Sequence, residues 1–433
     1  MTISTESAYL SEYKFALYRH SLVIGADRLI TRQFIVVKDR CRNIIAFTKF
    51  HKYIHSTNKY GAKSISDDGN NRFRFVVLFL NYLFIHNYPK YRINSINQIT
   101  LPMLQDFFRD YGIREDDRSR TKGTVDRCSV SIIDFMLDYI SKNEDVCALK
   151  KNDFVKAESY RTKRGMIKTR YVPNFQIYHT GDPKTIFRDM PNAVFNIFMS
   201  YAATYYRDIF FLMVLSAFAG LRPSEACNVR QEISPLGSGI YLRKVNGKTK
   251  RITLDITREL NLRSDLIPVG SIKKERMQGV YSKFISAFEY CYNLHKDYLA
   301  TQKFEKDFCP MSVNSRGMAM TYENYYTRFR QMTKDIIPLL FETKDPEVIE
   351  YAHDLEMNNI SPHIFRHWFS VRLTLYGEDV AGLQYWRGDK SPESALTYLQ
   401  NKGELEKQLQ KVNNEIFDFM LHQSKIAKDE KYE

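Results

Sequence analysis

Apolar positions along the chain fall into three regimes. Residues 1–65 mix short apolar stretches, at 34–37 and 44–47, with scattered arginines and lysines, and are expected to form a helical N-terminal extension of undefined role. The polar residues 56–71, with Asp67-Asp68-Gly69, read as a connecting loop. From Phe73 the period becomes helical. Residues 75–86 are strongly apolar, and 101–111 carry Pro102 in the first turn with Gly112 as a stop. Behind a cap at Thr124, the residues Val125, Cys128, Ile132, Phe135, Met136 and Tyr139 line one helical face. Residues 66–160 should therefore form one helical unit.

A third regime begins near Asp182. Residues 209–219 form an apolar helix that Gly220 can close, and Pro223 can open the next. Stretches 240–245 and 251–256 are strand-like, with Ile252, Leu254 and Ile256 alternating against Thr253 and Asp255, and Asn246-Gly247 between them is a hairpin-turn signal. Farther on, Leu405, Leu409, Val412, Ile416 and Phe419 give residues 403–421 one apolar stripe. The expected fold is mainly α with a small β-hairpin or sheet, an α+β protein. The apolar run at 209–219 is well short of the ~20 residues a bilayer span needs, so no membrane association is expected.

Charge narrows the partner. Among 433 residues, 64 Lys+Arg against 50 Asp+Glu leave a net charge of +14. Residues 1–180 hold 30 basic and 18 acidic side chains, so the front of the chain carries nearly all of the excess. A polyanionic partner is the natural inference. Residues 161–181 are expected to be a basic linker, with Arg161, Lys163, Arg164, Lys168 and Arg170 touching DNA. Six scattered cysteines without a C-x-x-C pair suit neither a disulfide framework nor a zinc site. His51 and His55 stand four apart, but no Glu follows His51, so H-E-x-x-H is absent and no metal is expected. Neither G-x-x-x-x-G-K-[ST] nor a strand-flanked G-x-G-x-x-G occurs, so no nucleotide and no other cofactor is expected. The first residues, with Glu6 and Glu12, lack a secretory pattern, and a cytoplasmic protein is expected.

Three separated motifs carry chemistry. Gly220-Leu221-Arg222-Pro223-Ser224-Glu225 sets Arg222 in a corner between helices, with Glu225 one turn on and able to orient it. Taken alone, that pair also reads as a helix cap. His363 and Arg366 stand three apart and project from one helical face, and Tyr398 follows 32 residues later. Together these elements resemble the tyrosine recombinase (integrase) family, over residues 73–400. The resemblance implies a helical core-binding domain at 66–160, a catalytic domain at 182–400, and a C-terminal helix and tail at 401–433. It also implies a site-specific recombinase that cleaves and rejoins DNA through a 3′-phosphotyrosyl intermediate, as an integrase of a mobile element. In that reading Arg222 and Arg366 hold the scissile phosphate, Glu225 supports Arg222, Lys248 protonates the leaving 5′ oxygen, His363 handles a proton and Tyr398 attacks.

One position departs from the family. Nine residues before the tyrosine the family usually has His or Trp, and here Asp389 stands, with Trp386 three residues earlier as the alternative occupant. Lys248 is flanked by Lys244 and Lys250 in the same hairpin. The resemblance further implies a homotetramer on two duplexes, with accessory DNA-bending proteins. Two other outcomes remain open: a type IB topoisomerase or hairpin-forming resolvase with the same chemistry, and a non-catalytic DNA-binding regulator on a recombinase scaffold, of which Asp389 is the first sign. The elementary chemistry agrees with the assignments. A phosphodiester gains negative charge as it becomes five-coordinate, and two planar guanidinium forks neutralise it. A phosphotyrosine conserves the bond energy, so resealing needs no ATP.

Overall fold

The apolar face that begins at Val125 lies on one side of a long helix, and the N-terminal half of the chain is built around it. In the computed structural model, residues 12–24, 28–54, 67–113, 120–161, 165–181, 190–303 and 308–389 are described. The chain divides into two units, Met1–Ser21 with Ile30–Thr185 and Leu22–Leu29 with Ile186–Glu433. Tyr398 and the stripe at 403–421 lie outside the described residues.

In the first unit, helices α1 (Asp67–Asn81), α2 (Leu101–Gly112) and α3 (Lys122–Lys142) pack together. Their core is Val76, Phe79 and Leu80 from α1, Leu104, Phe107 and Phe108 from α2, and Val125, Cys128, Ile132, Phe135 and Met136 from α3. The apolar segment at 75–86 does not stay α-helical throughout. It widens into a π-helical turn at Tyr82–His86.

The helical extension expected at 1–65 is corrected by the structure. Strands β1 (Lys14–Ile24), β2 (Arg28–Lys38) and β3 (Ile44–Phe47) form a three-stranded sheet in that order. The reason is visible in β2, where Thr31, Gln33 and Ile35 are buried and Arg32 is exposed, a period of two. The run Ile35-Val36-Val37 also disfavours helix through its β-branched side chains. The sheet is tied to α1: the Phe15 amide donates to Asn81 Oδ1 at 2.8 Å, and Asn81 Nδ2 donates to the Phe15 carbonyl at 2.9 Å.

The basic linker expected at 161–181 is corrected as well. Residues β4 (Val155–Arg161) and β5 (Ile167–Pro173) form an antiparallel hairpin in continuous register from Val155↔Pro173 to Arg161↔Ile167. Ile167, Thr169 and Tyr171 alternate with Lys168 and Arg170, so a strand period of two underlies the charge. Phe175 and Ile177 then pack on the core of the first unit, and the Gly181 amide donates to the Arg120 carbonyl at 3.0 Å.

The second unit is organised by α5 (Arg207–Ala219), in which every residue from Ile209 to Ala219 is buried. It is enclosed by α4 (Asn192–Tyr205), α7 (Ile285–Ala300), α8 (Tyr322–Phe341) and α10 (His363–Leu375), with α6 (Pro223–Ala226) following directly and α9 (Pro346–Met357) packing on α8. A helix buried on all sides shows no amphipathic period, which is why its sequence reads as an unbroken apolar run. Strands β6 (Ile240–Val245), β7 (Lys248–Ile256) and β8 (Arg276–Gly279) form an antiparallel sheet in that order. The expected hairpin is present, with Asn246 at φ 51° and Gly247 at φ 73°, both in the left-handed region a tight two-residue turn demands. Ile252, Leu254 and Ile256 face the core, and α11 (Val380–Arg387) ends the described chain.

The rings of Phe195 on α4 and Trp368 on α10 stack at 3.9 Å and 6°. Trp368 is fully buried. Replacing it with Ala should lower the unfolding free energy of this unit by about 3–5 kcal/mol, as large-to-small core changes do, with urea titration as the measurement. A loss under about 1 kcal/mol would show that the stack does not hold α4 to α10.

Candidate active site

Helix α5 stops because Gly220 turns the chain into the left-handed region, at φ 65° and ψ 22°. A side chain there would also collide with the ring of Phe369 on α10. Arg222 follows in extended conformation and caps α6, whose first residue is Pro223. The Arg222 amide donates to Glu225 Oε2 at 3.1 Å, while its guanidinium Nη1 donates to Oε1 at 2.9 Å. The capping role and the orienting role are therefore filled by the same carboxylate.

Helix α10 brings up Arg366, almost fully buried. Its Nη1 donates to the Gly220 carbonyl, and Nη2 donates to the Arg387 carbonyl and to Asp389 Oδ1, both at 2.8 Å. Arg222 Nη2 meets the same Asp389 oxygen at 2.5 Å. The Arg387 guanidinium lies with Nε 2.7 Å from Asp389 Oδ2. From β8, Arg276 donates to both oxygens of Glu225, at 3.1 and 3.4 Å. Gly388, at φ 60°, permits that approach, since a Cβ there would strike the Arg276 guanidinium. Four guanidiniums thus share two carboxylates, Glu225 and Asp389, and the cluster keeps a formal charge of +2.

Protonation follows from that packing. Burial, then Arg222 and Arg387, push the Arg366 guanidinium down to about 9, which still leaves it charged at neutral pH. Burial alone would raise Glu225, but Arg276 and Arg222 outweigh it and hold the carboxyl down at about 2. Burial, then the positive charges of Arg366 and Arg222, push His363 down to about 4, so its ring is neutral at pH 7 and offers one acceptor and one donor nitrogen.

The structure brings together Arg222, Glu225, His363, Arg366 and Asp389. It places Lys248 at the start of β7 opposite Val245, with an exposed side chain, and among the described residues no hydrogen bond or ion pair joins that side chain to the cluster. Its neighbour Lys244 approaches Glu289 at 3.7 Å. Trp386 turns elsewhere: its ring meets Tyr281 edge-on at 5.1 Å, and its carbonyl accepts from Gln278 Nε2 at 2.8 Å. Asp389, not Trp386, reaches the guanidiniums. Arg161, Lys168 and Arg170 lie exposed on the β4–β5 hairpin, while Lys163 and Arg164, like Tyr398, fall outside the described residues. Sequence reasoning missed Arg276 and Arg387. Arg387 precedes Gly388 at a helix end, where an arginine ordinarily pairs with the helix dipole, and Arg276 lies on a strand too short to announce itself.

No family model and no curated protein matches this chain. Among solved structures, similar chains include the XerH site-specific recombinase bound to difH substrate in a pre-cleavage complex, with 15% identity, 76% of each chain covered and a TM-score of 0.45. The Tn1549 transposon integrase in complex with transposon right end DNA shares 15% identity over 79% of this chain and 93% of its own, with a TM-score of 0.46. The XerA recombinase shares 13% over 82% and 91%, with a TM-score of 0.32. At these values the assignment of this chain stands on its own side chains.

The Glu225 arrangement has a pH signature. A carboxyl held at about 2 against its ordinary 4.5 contributes stability that is fully present above about pH 4.5 and lost as pH falls towards 2. Glu225→Gln should therefore cost about 3 kcal/mol at pH 7, where it strands Arg222 and Arg276, with the difference from the parent shrinking between about pH 4.5 and 2. Urea titrations at several pH values measure it. A pH-independent difference would count against the pairing.

Proposed function

We propose that the chain is a tyrosine-type site-specific DNA recombinase. The observation that carries this reading is the convergence of Arg222 and Arg366 on one oxygen, Asp389 Oδ1, at 2.5 and 2.8 Å, in a cluster of net charge +2 beside a neutral histidine. Such a site suits an oxyanion whose charge rises during reaction, as a phosphodiester's does when it becomes five-coordinate. In the proposed cycle Arg222 and Arg366 grip the non-bridging oxygens and Tyr398 attacks phosphorus. A Tyr398 O–P bond forms, the bond to the 5′ oxygen breaks, and Lys248 gives that oxygen its proton. Religation reverses each step. His363 handles the phenol proton, and Glu225 with Arg276 keeps the Arg222 fork from rotating.

Residues 66–160 would clasp the duplex as a core-binding domain, helped by Arg161, Lys163, Arg164, Lys168 and Arg170, and residues 401–433 would act in assembling a homotetramer on two duplexes. Accessory DNA-bending proteins belong to the same proposal, as does a nucleoid-associated, cytoplasmic setting. A topoisomerase or resolvase would share the covalent step, and exchange of ends between two marked duplexes separates recombination from both. The regulator reading has one observation in its favour, a carboxylate seated between the two key guanidiniums.

A nicked suicide substrate carrying the protein's own site should trap the parent chain as a covalent adduct. Tyr398→Phe should form none while binding the same DNA within about twofold, because it removes one oxygen and no cation. An adduct in the Phe variant would reject the nucleophile, and the lack of one in the parent would favour the regulator.

Replacing Arg161, Lys168 and Arg170 with Gln should flatten the dependence of log affinity on log salt by about 2 to 3 units, if each contacts a phosphate. Filter binding across a salt series measures it. An unchanged slope would leave the β4–β5 hairpin a solvated surface.

A further inference from the structure

The Asp389 carboxylate stands where the proposed phosphate would stand. It accepts from Arg222 Nη2 and Arg366 Nη2 through a single oxygen, and these are the two forks that the phosphate reading assigns to the scissile group. Its other oxygen is held differently: Asp389 Oδ2 lies 2.7 Å from Arg387 Nε but off the N–H direction, and among the described residues it receives no hydrogen bond. Arg387 itself is anchored through Nη1 to Ser370 Oγ at 2.8 Å. The carboxylate is therefore hydrogen-bonded through one oxygen, while the other is held by charge alone. Its backbone is tethered through Gln384, with the Asp389 amide donating to the Gln384 carbonyl at 3.1 Å and the Asp389 carbonyl accepting from Gln384 Nε2 at 3.4 Å, just past Gly388. Glu225 differs on every point: both of its oxygens are engaged, by Arg222 and Arg276, on a helix that continues the fold.

We infer that Asp389 is a displaceable place-holder, an internal anion that fills the oxyanion site between Arg222 and Arg366 and leaves when a phosphate-class oxyanion enters. The two anions exclude each other, because they need the same N–H groups and repel at hydrogen-bond distance. With the place-holder seated, the buried guanidiniums have their counter-charge without DNA. The apparent affinity of the site for an oxyanion is then reduced by the fraction of molecules in which Asp389 has moved aside. This inference rests on the phosphate-site reading, and the test separates the two.

Thermal unfolding of the full chain is followed against inorganic phosphate, with ionic strength held constant by chloride. Asp389→Asn should reach half of its phosphate-induced shift at a concentration about tenfold below the parent's. Adding Arg222→Ala should abolish the shift in both backgrounds. Equal midpoints for parent and Asn variant, both lost with Arg222→Ala, would overturn the place-holder and leave the oxyanion site standing. A shift that survives Arg222→Ala would overturn both. Should the Asn chain fold only when phosphate is present, the place-holder role is supported directly, since phosphate then supplies the missing counter-charge. Should it fail to fold even then, Asp389→Glu takes its place: a midpoint lowered by the ill-fitting longer side chain supports displacement, and one equal to the parent's overturns it.

Discussion

Arg222 is shared by two carboxylates, and the cluster of buried charges around it hangs on that sharing. Two unit charges 4 Å apart interact with about 4 kcal/mol at an effective dielectric of 20, so four guanidiniums cannot be gathered in a nearly dry site without anions between them. Glu225 links Arg222 to Arg276, and Asp389 links Arg222 to Arg366 and Arg387. Arg222 is also the most exposed of these four arginines, at 13% against 3% for Arg366. The residue that joins the two halves of the network is thus also the least enclosed, with Arg276 close behind at 11%. Local geometry serves this arrangement. The left-handed turn at Gly220 aims its carbonyl at Arg366, and the one at Gly388 makes room for Arg276.

How much of this was readable beforehand depended on whether a residue's neighbours in sequence were also its neighbours in space. Arg222 and Glu225 announce each other across one helical turn, as do His363 and Arg366, so those four were legible and meet in the structure. Arg276 meets Glu225 across 51 residues of sequence and Arg387 meets Ser370 across 17, and no local pattern reveals those pairings. The hairpin around Asn246-Gly247 was legible because a turn needing two positive φ angles admits few residue pairs. The first strands were not. Ile35-Val36-Val37 has the composition of a strand, but the arginines and lysines around it obscured the alternation. At 155–173 the charge masks a period of two, so the composition there is that of a linker while the backbone is a hairpin. Asp389 stood out as a departure from a pattern, whereas its place between guanidiniums is a tertiary fact.

The two units also divide their electrostatic labour. The first carries cations outward, with Arg161, Lys168 and Arg170 exposed on strands, where salt screens them. The second has exposed cations as well, Lys244 and Lys248 among them, but it also buries a set around Glu225 and Asp389, where the low dielectric strengthens every charge interaction. Long-range attraction suits the first arrangement, and fixed geometry at one group suits the second.

The closure between Gly220 and Arg366 spans 146 residues of sequence. At synthesis rates of about 5–20 residues per second, α5 leaves the ribosome roughly 7–30 seconds before the helix that covers it. For that interval eleven consecutive residues that end up buried, Ile209 to Ala219, have no α10 to pack against. The first unit has its whole chain by then and can fold on the ribosome, whereas the second must wait for Asp389 before its charges balance. The nascent protein is therefore most exposed to aggregation in the middle of its own translation, a window in which a chaperone would find a single apolar helix to hold.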